Sequence, residues 1–370
     1  MARVGILTYH YVPNYGAAMQ AWALQKVLQR LGHDVFFIDY RPSHLTTGGK
    51  FHLPTEAWRR RANLVIAYQK AMALRSCFLG DGGKKAKFEA FHREHLVLGA
   101  ECYQTRKQLL RNPPEADVYV CGSDQIWNAS EQYGIDPTYF LDFAPSGVRK
   151  VAYAPSFGRP EIHPRFSEET LRLVKQFDAI SVREESGVAL LKDSCPLGAT
   201  WVPDPTLLLG GDYPEAILPE QDQGYIFSYT LRSRETVSEV EREMSQITSL
   251  PVISPATLKR DGKGVPGPLE WLGLIKAAKY VITNSYHGTL FSTIFRKPYV
   301  FVGLSGAKAG FNERAHSLLG RLGLSQRMLD DGNIERLPEI IDAAVDWERV
   351  SLEEDRWRQG SIEFLQDAIR

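Results

Sequence analysis

Residues 280–298, YVITNSYHGTLFSTIFRKP, constrain the fold most, because a strand there passes straight into a helix. Tyr280, Val281, Ile282 and Thr283 form a short apolar, β-branched run, and beyond His287 the apolar Leu290, Ile294 and Phe295 recur at helical spacing. Strand, turn and helix in that order belong to an open α/β sheet, where the turn opens at the carboxyl end of the strand, the usual ligand crevice. The first amides of such a helix have no partner within it and favour an anion. Gly288 lets a ligand approach the backbone, Asn284, Ser285 and Thr289 supply polar groups, and His287 brings the side chain whose proton moves most readily near neutral pH. The segment reads as an anion site carrying an acid–base group. A plain helix start, with the histidine bonded to its own backbone, accounts for the same residues.

The same alternation runs along the chain. Residues 4–8 read as a strand, 16–31 as a helix and 35–39 as a second strand after the turn at Gly32 and His33. Strands follow at 118–121, 151–154 and 179–182, with a helix over 166–177. The cluster Pro203, Asp204, Pro205 and the turn at 210–214 break regular structure and end a first α/β domain, residues 1–204. A second, residues 205–350, takes strands at 225–229, 252–253, 280–283 and 299–302 and helices over about 234–248 and 269–278. Residues 351–370 form a last helix that such an architecture returns to the first domain. A length of 370 residues is comfortable for two domains of this kind facing each other across a cleft. Residues 55–112 read as a helical, basic insertion or lid, with Arg59, Arg60, Arg61, Arg75, Lys84, Lys85, Lys87 and Arg93 around the Gly-Asp-Gly-Gly run at 80–83. It is either a solvated hairpin or a basic surface beside an anionic substrate or lipid head group.

Composition narrows the partners. With 44% hydrophobic and 24% charged residues and a formal net charge of +0, the chain has no general attraction for nucleic acid or acidic membranes, so charge recognition must be local. No apolar run approaches the roughly 18 residues of a membrane span, and the first residues enter a strand and turn in place of a signal peptide. The expectation is a cytoplasmic protein, with peripheral contact at the inner face of the membrane as the most that the basic segment allows. Cys77, Cys102, Cys121 and Cys195 are widely separated and form no C-x-x-C pair, which supports neither a disulfide framework nor a zinc site.

Four polar stretches follow predicted strands and are expected to converge. Asn14, Tyr15 and Gly16 can hold a substrate with backbone amides or simply start the first helix. In GSDQIWN at 122–128, Trp127 can stack on a sugar ring while Asp124, Gln125 and Asn128 bond its hydroxyls; alternatively Ser123 or Asp124 caps a helix and Trp127 joins the core. Arg183, directly after an apolar strand, is suited to reach into a cleft where its planar fork matches a carboxylate or phosphate, or else it pairs with Glu184 or Glu185. The opening segment is the fourth, with Arg296 and Lys297 beyond it. The dinucleotide, P-loop, zinc-protease and serine-hydrolase motifs are missing, and the Gly-Asp-Gly-Gly-Lys-Lys run at 80–85 lacks the strand before it and the Ser or Thr after it.

Taken together, NYGAAMQAWAL at 14–24, GSDQIWN at 122–128, SVREESG at 181–187, VPDPTLLL at 202–209 and NSYHGTLFSTIFRKP at 284–298 resemble the polysaccharide pyruvyl transferase family. The resemblance implies a GT-B-like α/β fold of two Rossmann-type domains. It also implies phosphoenolpyruvate as donor substrate with no cofactor or metal, and a saccharide acceptor, often lipid-linked and destined for a bacterial envelope or capsule polymer, that receives a pyruvyl ketal across two hydroxyls. Arg183 matches an arginine the family uses on the donor, and His287 matches its histidine near the donor. Asn284, Ser285, Gly288, Thr289 and Lys297 complete the donor side; Asn14, Tyr15, Gly16, Ser123, Gln125, Trp127 and Asn128 form the acceptor side. Some members carry an arginine two residues before the histidine, where this chain has Ser285, so donor binding leans on other cations, with Lys297, Lys308 and Arg314 as candidates. His287 is expected to transfer a proton, Arg183 to hold the carboxylate or phosphate, and Asp124 to orient or deprotonate the acceptor hydroxyl. Two other readings share the architecture: a GT-B glycosyltransferase with a nucleotide-sugar donor, disfavoured by the missing paired-glutamate motif, and a non-catalytic scaffold of a polysaccharide assembly, against which intact Arg183 and His287 argue. The sequence sets no oligomeric state.

Overall fold

In the computed structural model, which describes residues 1–42, 63–64, 66–68, 70–71, 83–129, 132, 134–192, 195, 198–214, 216–217, 224–231, 234–329 and 333–370, two parallel sheets organise the chain. The first is built from β1 (Arg3–Leu7), β2 (Asp34–Tyr40), β3 (Leu98–Tyr103), β4 (Val118–Cys121), β5 (Arg149–Ala152), β6 (Ala179–Val182) and β7 (Thr200–Trp201), in the order β3-β2-β1-β4-β5-β6-β7. The second contains β8 (Ile226–Tyr229), β9 (Val252–Ile253), β10 (Tyr280–Thr283), β11 (Tyr299–Val302) and β12 (Met328–Leu329), in the order β12-β11-β10-β8-β9. The central strands read VYVC, YVIT and YVFV and are buried almost throughout, as parallel strands covered on both faces must be.

Five helices matter for the site: α1 (Tyr15–Arg30), α2 (Pro205–Leu208), α3 (Pro268–Ala277), α4 (Tyr286–Ile294) and α5 (Trp347–Ile369). Helix α1 is buried almost all round, because it belongs to the first sheet and packs against α3 and α4 of the second. The Tyr15 ring stacks on Trp271 with centroids 5.1 Å apart and planes 3° from parallel, and its hydroxyl donates to the Pro266 carbonyl at 2.7 Å. One apolar cluster therefore runs from Val4 and Phe37 in the first sheet to Phe227 and Val281 in the second. Helix α5 ties both units together. Arg149 Nε donates to the Ala368 carbonyl at 2.6 Å and Trp357 Nε1 to the Trp201 carbonyl at 3.2 Å, while Arg296 grips Glu354 with both forks at 2.9 and 2.6 Å.

The sequence reading gives no strand at β7 or β12, each two residues long, and one stretch runs against it. Residues 98–103, expected within a helical insertion, are the edge strand β3; only Tyr103 of the six is buried, so no apolar alternation marks the strand. Lys84, Lys85, Lys87 and Arg93 sit on a helix, Lys84–His95, that buries Phe88 and Phe91 against the seam. Arg59, Arg60, Arg61, Arg75 and the glycine run at 80–82 lie outside the described residues. No helix among the described residues is long and apolar enough to cross a membrane.

The strand orders reverse between β1 and β4 in the first sheet and between β8 and β10 in the second. A reversal leaves a crevice beyond the carboxyl ends of the strands, since neighbouring connections depart to opposite faces.

Candidate functional site

The two crevices share one cavity of about 260 Å³. Its wall takes Tyr9, Val12 and Asn14 from the loop after β1, Asp124 and Gln125 from the loop after β4, Leu231 from the loop after β8, and the run from Asn284 to His287 after β10, with Leu304, Phe311 and Arg314 following β11. Each strand flanking a reversal thus contributes.

On the second-domain side the turn into α4 is tightly specified. Ser285 is its N-cap, with Oγ accepting from the Gly288 amide at 3.3 Å, and the Ser285 amide donates to Thr283 Oγ1 at 3.0 Å. A Cβ at position 288 would lie 2.3 Å from Thr283 Oγ1, so glycine is needed for α4 to start this close to β10. Asn284 Oδ1 accepts from the Leu231 amide at 2.7 Å and pins the loop after β8. Thr289 is fully buried and donates back to the Ser285 carbonyl at 3.0 Å. Asn284, Ser285 and His287 face the cavity, whereas Gly288 and Thr289 shape the turn behind it. Lys297 is not on this wall. It follows α4 and precedes β11, at the amino edge of the sheet, where burial and then Lys279 and Lys276 lower its pKa. Lys308 is exposed and also off the wall; Arg314 is the cation that lines it.

The first-domain side is rich in acceptors. Asn14 caps α1 by accepting from the Ala17 amide at 3.1 Å while lining the cavity. Asp124 has φ 76°, a left-handed conformation uncommon outside glycine, held by the Ser156 amide on its carbonyl at 2.8 Å and the Gln125 amide on its own Oδ1 at 2.9 Å. Gln125 Oε1 accepts from Asn128 Nδ2 at 2.9 Å, with Asn128 buried behind. Trp127 does not present its ring to the cavity: it is buried, stacked on Phe140 at 5.2 Å, and its Nε1 donates to the Tyr139 carbonyl at 3.2 Å. Tyr15 is likewise spent in the seam against Trp271.

Behind the wall lies a residue the sequence reading treated only as a boundary. Asp204 is fully buried. Its Oδ1 caps α2, accepting from the Thr206 amide at 3.1 Å and hydroxyl at 2.8 Å; its Oδ2 accepts from Ser123 Oγ at 2.8 Å and Arg183 Nη1 at 2.9 Å, and lies 3.3 Å from His287 Nε2. That last contact is in ion-pair range without the alignment of a hydrogen bond. Burial opposes the charged form of Asp204, but His287, Arg183 and the Thr206 amide outweigh it and hold the carboxyl below its usual pKa. Pro205 at the first helical position is the local signal that could mark Asp204 as a helix cap, but no local signal shows that it also gathers three distant side chains.

Arg183 does not reach the cavity wall. It is 1% exposed, with Nε 3.2 Å from Glu184 Oε1, Nη2 3.9 Å from Asp124 Oδ1, and its guanidinium 4.5 Å over the Tyr286 ring. Burial lifts the Glu184 carboxyl above its ordinary pKa despite that arginine. The pairing with Glu184 that competed with ligand binding in the sequence is present, and Arg183 supports the wall through Asp204, Asp124 and Tyr286. Among the described residues no group of three His, Cys, Asp or Glu side chains is arranged to hold a metal ion.

No curated protein matches this sequence. Among solved structures, S. aureus MnaA in its UDP co-structure aligns with a TM-score of 0.53 at 11% identity over 96% of this chain and 91% of that one. UDP-GlcNAc 2-epimerase from Methanocaldococcus jannaschii gives 0.47 at 13% over 94% and 93%, and spinosyn rhamnosyltransferase SpnG 0.41 at 13% over 99% and 96%. At such identity the likeness to MnaA, with a TM-score above 0.5, speaks for the fold alone, which is GT-B-like with two parallel sheets. The sequence model of one family, polysaccharide pyruvyl transferase, matches residues 14–306, a span that takes in α1, Asp124, Arg183, Asp204 and His287. With the match covering most of its length, the chain belongs to the polysaccharide pyruvyl transferase family.

Proposed function

We propose that this protein moves the pyruvyl group of phosphoenolpyruvate onto a saccharide and closes it as a cyclic ketal across two hydroxyls, in the synthesis of a bacterial cell-surface polysaccharide. The observation that carries the reading is the placement of His287 at the start of α4, on the wall of a cavity of about 260 Å³ that Arg314 also lines. A volume of that size suits a three-carbon phosphate and the edge of a sugar better than a nucleotide sugar.

The donor's carboxylate and phosphate meet Arg314 and the leading amides of α4. His287, as imidazolium, gives its proton to the methylene carbon, which becomes the methyl group, and the central carbon turns electrophilic. A sugar hydroxyl attacks that carbon, with Asp124 accepting its proton. The bond from the central carbon to the phosphate oxygen breaks, and a second hydroxyl of the same sugar closes the ketal. Two hydroxyl protons are lost in all: one balances the proton now in the methyl group, and the other leaves on phosphate.

The test is to incubate the protein with phosphoenolpyruvate and a panel of lipid-linked or aryl galactosides, glucosides and N-acetylmannosaminides. The expected result is an acid-labile pyruvyl adduct with equimolar phosphate. No product from any acceptor, together with thermal protection by uridine diphosphate and none by phosphoenolpyruvate, would move the reading to a nucleotide-sugar transferase.

A further inference from the structure

We infer that Asp204 and Gly16 are positioning residues that set His287 for proton transfer, so that the packed seam between the domains assembles the working site. The inference rests on the pyruvyl-transfer reading and adds to it how the proton donor is oriented.

His287 is carried by the second domain, yet its ring is held by groups from outside that domain. A Cβ built on Gly16, in the first turn of α1, would lie 2.0 Å from His287 Nδ1 and 2.4 Å from Cγ, so the ring lies directly against the α1 backbone and no side chain fits between them. Across the ring, Nε2 stands 3.3 Å from Asp204 Oδ2. That carboxylate cannot turn away. Thr206 holds one oxygen at 3.1 and 2.8 Å, Ser123 and Arg183 hold the other at 2.8 and 2.9 Å, and the residue is inaccessible to solvent. A buried carboxylate so fixed orients the imidazole and sets a negative charge beside it.

The other titratable or charged groups facing this pair are few. Arg183, Asp124 and Glu184 come from the first domain and Arg314 and Tyr286 from the second. Tyr153 and Tyr213, beside Asp204, are kept neutral by burial. Arg183 tempers the charge on Asp204 without removing it, since it is shared with Glu184 and Asp124. The seam itself is closed by the stack of Tyr15 on Trp271, so the ring reaches Asp204 in this arrangement without a hinge motion.

The experiment uses the full chain, phosphoenolpyruvate, and the acceptor glycoside that gives product with the wild type. Gly16→Ala leaves the carboxylate network in place and suits a helix, so only the displaced ring is read. Phosphate release is expected to fall at least ~100-fold while phosphoenolpyruvate affinity, by calorimetry, stays within about threefold. Asp204→Asn is expected to move the alkaline limb of the pH–rate profile to lower pH by about one unit, a change that a loss of fold or stability alone would not produce. If Asp204→Asn does not fold, Gly16→Ala decides the matter. Wild-type turnover combined with a fully active Gly16→Ala variant, or with an unshifted limb in a folded Asp204→Asn variant, overturns the positioning role and spares the pyruvyl-transfer reading. A wild type that turns over no acceptor overturns both.

Discussion

Two buried histidines in this molecule each face an aspartate just beyond the carboxyl end of a parallel strand, and they are unlike in every respect that matters for chemistry. His10, after β1, places Nε2 2.9 Å from Asp39 Oδ1 and Nδ1 3.2 Å from the Thr8 carbonyl, stacks on Phe37 at 5.3 Å, and is 1% exposed. Its aspartate is also gripped by Arg41 at 2.6 Å. His287, after β10, sits 3.3 Å from Asp204 with no aligned hydrogen bond, on the wall of the cavity. The shorter and better aligned pair is the one with no access to a ligand. The looser pair, at the cavity wall and without an aligned hydrogen bond, is the one that suits the proposed proton transfer.

The largest expected effect separates the two directly. His287→Gln should cut phosphate release by about 10³-fold with little change in melting temperature. His10→Gln should leave turnover within about threefold and cost about 1–3 kcal/mol of stability, because Asp39 and the Thr8 carbonyl lose a donor. Steady-state kinetics beside urea denaturation reads both, and an inactive His10→Gln variant with normal stability would erase the distinction. Next in size is the cation behind each pair. Arg183→Met leaves Glu184 buried without its ion pair and takes from Asp204 one of its two cationic neighbours, so it should cost about 3–5 kcal/mol, while Arg41→Met, beside an Asp39 that keeps His10 and at a side chain 43% exposed, should cost no more than about 1 kcal/mol.

How far the sequence could anticipate this differs by level. Strand and helix periodicity exposed the central strands of both sheets but not β3, β7 or β12, and polar turns after strands bring Asn14, Asp124, Gln125, Asn284, Ser285 and His287 to one cavity. Lys297 defeated that reading through length. A nine-residue helix rises roughly 14 Å, which carries the chain from the carboxyl edge of the sheet to the other. Trp127 and Asn128 defeated it through direction, since proximity in sequence to a turn does not say whether a side chain points into the cavity or the core. Asp204 was beyond local reading altogether, because its partners Ser123 and Arg183 lie 81 and 21 residues away and only the packed seam brings His287 to it.

Smaller effects test the same contrast between groups on the cavity wall and groups away from it. Arg314→Gln should weaken phosphoenolpyruvate binding about tenfold, less at high salt, whereas Lys297→Gln should change it less than about twofold; calorimetry at two ionic strengths distinguishes them. The sealed pair should instead appear in stability at acid pH. Burial raises the pKa of Asp39, but hydrogen bonds from His10 and Arg41 prevail and bring it down to about 2. A carboxyl with a depressed folded pKa adds stability that is fully present above its unfolded value, about 3.9, and is lost as pH falls toward 2. Asp39→Asn should therefore flatten the fall in melting temperature over that window while leaving neutral-pH turnover alone.

Trp127 gives the smallest expected effect and extends the contrast to an aromatic ring. Like His10 it has spent its polar atom, on the Tyr139 carbonyl, and its faces are packed by Phe140 and Phe157. Trp127→Phe keeps an aromatic in the stack and removes one neutral hydrogen bond, so stability should drop by about 1 kcal/mol and the acceptor KM should stay within about twofold. A tenfold rise in that KM at unchanged melting temperature would mean that the acceptor does touch the ring. The loop at 122–128 would then have to open when the sugar binds, and saturation of a side chain in this arrangement would no longer exclude it from the site.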